Sequence, residues 1–171
     1  MVNQVLFDDE GVYGVAYDAE GSELFTLPYS GEVENWQSLV LELREGDFAD
    51  YLASDLGCRL CSERLRTILQ DHASPDDMIQ WLNVEVRKGK ASRPYAILHF
   101  TSPPDVLNKT KSIMAGDFVV KAVFSKDAIG QHQVFAYPQA GELKLFITDG
   151  VKRAIQSAKC TGMEISRCPV V

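Results

Sequence analysis

Residues 58–100 read CRLCSERLRTILQDHASPDDMIQWLNVEVRKGKASRPYAILHF, and the change of hydrophobic period inside that stretch decides the fold class. Ser62 has the short, oxygen-bearing side chain that caps a helix N-terminus, and Glu63 suits the positive end of the helix dipole. Leu65, Ile68, Leu69 and His72 then recur at the i, i+3, i+4, i+7 spacing of a single face. The spacing predicts one amphipathic helix that must lie on something else. Ser74, Pro75, Asp76 and Asp77 end it, because proline has no backbone donor and short polar side chains favour turns. Beyond them the period drops to two. Ile79 and Trp81, then after a one-place shift Leu82, Val84 and Val86, predict a strand with a bulge or strand start at Trp81 and Leu82. A polar, basic turn over 87–93 leads to a second strand, Tyr95 to Phe100. One helix over an antiparallel pair is the unit, and it predicts an α+β domain, mostly antiparallel sheet with a few helices packed on it.

Toward the N-terminus the pattern predicts a meander of strands: Val2 to Phe7, the alternation of Tyr13, Val15 and Tyr17, Glu23 to Leu27, and Trp36 to Leu43. Phe48, Tyr51 and Leu52 stand at helical spacing ahead of Gly57 and predict one short helix or a 3₁₀ turn. Toward the C-terminus, Pro103 and Pro104 open a long loop over 101–112. Strands are predicted at Asp117 to Ser125 and Gln133 to Tyr137, with an irregular turn over 126–131 between them. Leu143, Leu145 and Ile147 predict a further strand, after which Asp149 caps a helix with Val151, Ala154, Ile155 and Ala158 on one face. Thr161 and Gly162 end that helix, and Met163 to Ser166 form a last strand. No repeat or Gly/Pro/Ser-rich linker divides the chain, so residues 1–171 are expected to form a single domain. Its 1–57 part is acidic and strand-rich; its 58–171 part mixes helix and strand.

A chain of 171 residues with 46% hydrophobic and 24% charged side chains has the composition of an ordinary globular protein, which needs no metal or disulfide to fold. The start, MVNQVLFDDE, has neither a basic region nor a long apolar run, and no later segment resembles a membrane-spanning helix. A cytoplasmic location with reduced cysteines is the expectation. The net charge of −7 is unevenly spread: the first 57 residues hold thirteen acidic side chains and one basic one, Arg44. Such asymmetry is either matched within the chain, left in solvent, or presented to a cationic partner. Direct nucleic-acid binding by this part is disfavoured, since phosphate would be repelled.

Residues capable of chemistry are present but not in catalytic or ligating patterns. Cys58 and Cys61 form a CxxC just before a helix start, where the dipole favours a thiolate. Structural, metal and redox readings of the pair all remain open. No thioredoxin-like context precedes it, and Cys160 and Cys168 lie too far apart for a second close pair, so two packed cysteines are the expectation. His72, His99 and His132 are scattered, no GxSxG elbow or glycine-rich phosphate loop occurs, and Asp76 and Asp77 are merely adjacent on a turn. No catalytic residue, metal ligand or cofactor is therefore predicted. Trp81 reads as core, whereas Trp36 sits among Glu32, Glu34 and Asn35. Glu32, Glu34, Trp36, Glu42 and Glu45 are the predicted partner-binding residues, chosen for charge and one aromatic anchor.

Several runs in order carry a resemblance: DYLASDLG at 50–57, CSERLRTIL at 61–69, WLNVEV at 81–86, YAILHF with PPDVLN over 95–108, and FITDGVKRAIQSAKCTGMEIS at 146–166. Together they resemble a bacterial family, formerly a domain of unknown function, classed as immunity proteins of polymorphic toxin systems. The resemblance is weakest before Val33, and its distinctive parts are scaffold. It implies a protein that binds a cognate toxin domain and blocks it; with the charge, hydropathy and residue patterns above, the expectation is a stoichiometric inhibitor that is no enzyme and needs no cofactor, direct nucleic-acid ligand or membrane. The rival expectations are a small cytosolic enzyme with an unrecognised cleft and a zinc-stabilised binding module.

Overall fold

The computed structural model describes residues 1–18, 27–138 and 143–171. Its strands are β1 (Val2–Phe7), β2 (Val15–Asp18), β3 (Leu39–Leu43), β4 (Tyr51–Ser54), β5 (Leu60–Ser62), β6 (Ile79–Lys88), β7 (Ala91–Phe100), β8 (Ile113–Ala115), β9 (Phe118–Lys121), β10 (Val134–Phe135), β11 (Leu145–Thr148) and β12 (Met163–Cys168). The helices are α1 (Glu63–His72), α2 (Lys126–Ile129) and α3 (Asp149–Ser157), with a 3₁₀ turn at Pro75–Asp77. The chain is α+β with antiparallel pairing dominant, as the 58–100 stretch predicts.

Six strands close a barrel in the order β2-β3-β6-β7-β5-β4, and four form an open sheet in the order β10-β11-β1-β12. Two joins of the barrel are parallel, β3 with β6 and β2 with β4. The barrel interior is filled by Leu41, Leu43, Leu52, Leu60, Leu82, Val84, Val86 and Ile97. A second core lies between the barrel wall, the open sheet and the helices, drawing on Leu98 and Phe100 of β7, Leu65 and Leu69 of α1, and Val151 and Ile155 of α3. The other face of the open sheet covers a third core around Phe124, Phe135 and Phe146. β7 thus has apolar neighbours on both faces, which is why its YAILHF run is buried at every position.

Six expectations are corrected. Residues 51–54 form strand β4 instead of a helix: Tyr51 belongs to the second core and Leu52 to the barrel interior, so the adjacent pair splits across a sheet. β6 pairs with β7 without interruption from Ile79↔Phe100 to Lys88↔Ala91, so there is no bulge at Trp81 and Leu82. Instead, one face of β6 packs at 79 and 81 against the second core, and the other packs at 82, 84 and 86 inside the barrel. The turn over 87–93 shrinks to Gly89 and Lys90, with Gly89 at φ 57°. The irregular 126–131 turn contains α2, and Thr148, not Asp149, is the N-cap of α3. His72 is exposed, its Nδ1 facing the Ile68 carbonyl, and does not join the buried face of α1. The strand expected at Glu23 to Leu27 falls mostly outside the described residues.

Asp50 fastens β4 to α1 and to the turn before β12. Its nearly buried carboxylate accepts from Ser62 Oγ at 2.6 Å, Thr161 N at 2.8 Å, Thr161 Oγ1 at 3.1 Å and the Arg64 guanidinium. Burial by itself would raise its pKa, but the bonds from Arg64, Ser62 and Thr161 outweigh burial and hold the carboxyl below its ordinary value. A depressed carboxyl contributes stability that is complete above the unfolded-chain value, near pH 4, and is lost as the pH falls through the lower folded value. Urea midpoints measured between about pH 7 and pH 3 are therefore expected to fall more steeply for the native chain than for Asp50→Asn. Parallel curves would contradict this account.

Candidate partner-binding surface

The segment 31–38 lies along β6 before β3 joins it as a strand, and one backbone bond and several side chains do the fastening. Gly31 N donates to the Thr101 carbonyl at 2.7 Å, and the Gly31 carbonyl accepts from His99 Nε2, also at 2.7 Å. Val33 is held twice by the Gln80 amide, at 2.8 and 2.9 Å, and Trp36 Nε1 donates to the Asn83 carbonyl at 2.9 Å. β3 then takes over with Leu39↔Val84 through Glu42↔Arg87. Glu32, Glu34, Glu42 and Glu45 all project as exposed side chains from this fixed backbone. They are strung out, not clustered: from the level of Gln80 to that of Arg87 is roughly 23 Å at ~3.3 Å per residue.

Charge matching within the chain accounts for little of the acidity. Among the described residues, Glu32, Glu34 and Glu45 have no ion pair, and Glu42 meets only Arg44, at 3.7 Å with both side chains open to solvent. Among the described residues, Asp50 with Arg64 and Asp47 with Lys88 are the ion pairs that tie carboxylates of the acidic part to the rest, and the Met1 amino group adds a third link, to Asp149. Trp36 is half-buried against the barrel core with its indole N–H committed to Asn83, so it anchors the segment as well as flanking the glutamates. Trp81 is half-buried too, packed at the second core with the Arg66 guanidinium 5.5 Å from its ring centroid.

An apolar surface that sequence reasoning missed lies on the β8–β9 hairpin. Ile113, Met114, Phe118 and Val120 are between 42% and 65% exposed while Val119 turns inward to the third core. The run reads as an ordinary buried strand, and only its position on a two-stranded ribbon leaves one face in solvent.

The cysteines face away from one another: Cys58 lines the barrel interior and Cys61 the second core. Burial pushes the Cys58 thiol up to about 11, against the lowering effect of its contact with Ser54 Oγ, and pushes Cys61 up as well. Neither is poised as a thiolate at neutral pH. Among the described residues no group of three or more His, Cys, Asp or Glu could hold a metal ion. Among the described residues no helix is long and apolar enough to cross a membrane.

This geometry offers a fixed acidic strip and an apolar ribbon. A family model described as "Immunity protein family (Imm11)" matches residues 23–169. The chain belongs to the Imm11 family. The match begins before Val33, so it takes in Glu32 and Glu34 together with the scaffold runs that carry the resemblance. No curated protein matches the chain. Membership supports an immunity function for this Imm11 protein, suggests a non-enzymatic role, and implies a toxin as partner in general.

Proposed function

We propose that this Imm11 protein acts in the cytoplasm as a stoichiometric inhibitor, binding a cognate toxin domain through the strip formed by Glu32, Glu34, Trp36, Glu42 and Glu45. The observation that carries the reading is a row of exposed carboxylates, three of them without an ion pair among the described residues, on a backbone pinned to β6. Such a row is organised before the partner arrives, which lowers the ordering cost of binding. It suits a toxin with a basic face, such as a nucleic-acid-binding cleft, and the opposed fields would raise the association rate.

The test is co-expression with the toxin domain encoded beside it, scored by colony survival and co-purification, followed by affinity measurement on a Glu32→Lys, Glu34→Lys, Glu42→Lys triple variant. Rescue with a one-to-one complex is expected, along with a loss of at least about tenfold in affinity, mostly in the association rate at low salt. Affinity within about twofold would remove the acidic strip from the interface. If truncating Phe118 and Val120 to alanine then weakened the complex, the contact would belong to the β8–β9 ribbon instead. Rescue without a complex would favour an enzymatic role.

A further inference from the structure

Where the barrel meets the open sheet, a pocket of about 250 Å³ opens between residues 57–59, 98–100 and 136–138. Much of its wall is apolar, including Leu27, Phe100, Pro103 and Leu143. Into this setting the chain places Arg59. Its Nε donates to the Lys144 carbonyl at 2.7 Å, and its guanidinium carbon lies 5.1 Å from the centroid of the Phe100 ring. The Nη groups donate to no acceptor among the described residues, and no carboxylate there lies within ion-pair distance. The groups that influence it electrostatically are Tyr51, Cys61 and Cys58, all neutral near pH 7 because burial raises each of them. The other basic side chain of the wall is His99. Its Nε2–H is already spent on the Gly31 carbonyl.

A largely buried guanidinium without a counter-ion is costly, because it has lost hydration and gained no opposite charge. One guanidinium edge matches one planar carboxylate in a two-bond fork. A phosphate would bring more charge than the wall can match. The volume lies below the roughly 300–1,000 Å³ of drug-sized sites, so any apolar body is of the order of one ring or a short acyl chain. We propose that this pocket binds a small carboxylate with an apolar body, the carboxylate on the Arg59 Nη groups and the body against Phe100 and Leu143. The same chemistry is carried by a free carboxylic acid and by the end of a polypeptide chain.

The experiment is a titration of the full chain with benzoate, hexanoate and N-acetylphenylalanine, followed through the Arg59 Nε–H signal and by thermal shift. Methyl benzoate and inorganic phosphate serve as comparison probes. At least one carboxylate is expected to saturate in the ~1 mM range or tighter, with the neutral ester and phosphate at least about tenfold weaker. Benzoate or hexanoate acting without N-acetylphenylalanine assigns a free acid; the reverse assigns a chain end. Arg59→Gln should abolish saturation. Should that variant not fold, Leu143→Trp, which fills the pocket and leaves Arg59 in place, is expected to do the same. No saturable shift, equal binding of the ester, or binding of phosphate alone overturns the proposal.

Discussion

Replacing Asp77 with alanine is expected to lower the stability of the fold by about 3–5 kcal/mol, since several buried donors would be left unsatisfied at about 1–3 kcal/mol each. Asp77 is wholly inaccessible, yet its two oxygens accept from four residues. Ser74 N donates at 2.8 Å, closing the capping box of the 3₁₀ turn, while Gln133 N at 3.1 Å and Val134 N at 3.0 Å come from the start of β10. His132 Nδ1 completes the set at 3.0 Å. One carboxylate thus ties the segment between α1 and β6 to the edge of the open sheet, and alanine would bury several backbone donors with nothing to accept from them. Urea unfolding of Asp77→Ala and of His132→Ala checks this. The histidine variant removes one donor and is expected to cost about 1–2 kcal/mol. A loss below about 1 kcal/mol for Asp77→Ala would mean that water satisfies the orphaned groups.

The second large effect is expected at Gly162, in the turn between α3 and β12. Its φ of +82° is left-handed, and a Cβ there would stand 2.5 Å from the Tyr51 carbonyl oxygen, with the Ala49 side chain equally close. Gly162→Ala would therefore combine a conformational penalty of ~1–2 kcal/mol with overpacking of ~1–3 kcal/mol. Gly11 isolates the first contribution: its φ is +81°, and a Cβ would meet nothing within 4 Å. Gly11→Ala is expected to cost ~1–2 kcal/mol and Gly162→Ala at least about twice that, read as the difference in urea midpoints. Equal losses would show that Ala49 and Tyr51 yield without strain.

The elements that sequence makes legible are those whose signal is local. Ser62 accepts from Leu65 N as an N-cap should, and Leu65 and Leu69 are buried as the spacing predicts. The five apolar residues of YAILHF leave a strand little alternative. Where two cores share one element, local periodicity misleads. Phe48, Tyr51 and Leu52 mimic a helical face because Tyr51 and Leu52 serve different cores, and the slip read at Trp81 is a change of partner, not of register. The parallel joins of β3 with β6 and β2 with β4 carry no local mark, so barrel closure was not legible. Exposure of the predicted glutamates was legible from charge; the tethering of their segment to the Gln80 amide and to the Asn83 and Thr101 carbonyls was not, because those groups lie more than 40 residues away.

The position of β1 sets an order of events during synthesis. β1 lies between β11 and β12, and the Asn3–Asp149 bond joins residues 146 apart in sequence. The barrel strands, by contrast, are all made by residue 100. A nascent chain can therefore complete the barrel while its first strand still waits, unpaired, for partners not yet translated. Until then the apolar side chains of Val2 and Val5 stand open to other chains, and holdase chaperones would find their target in β1.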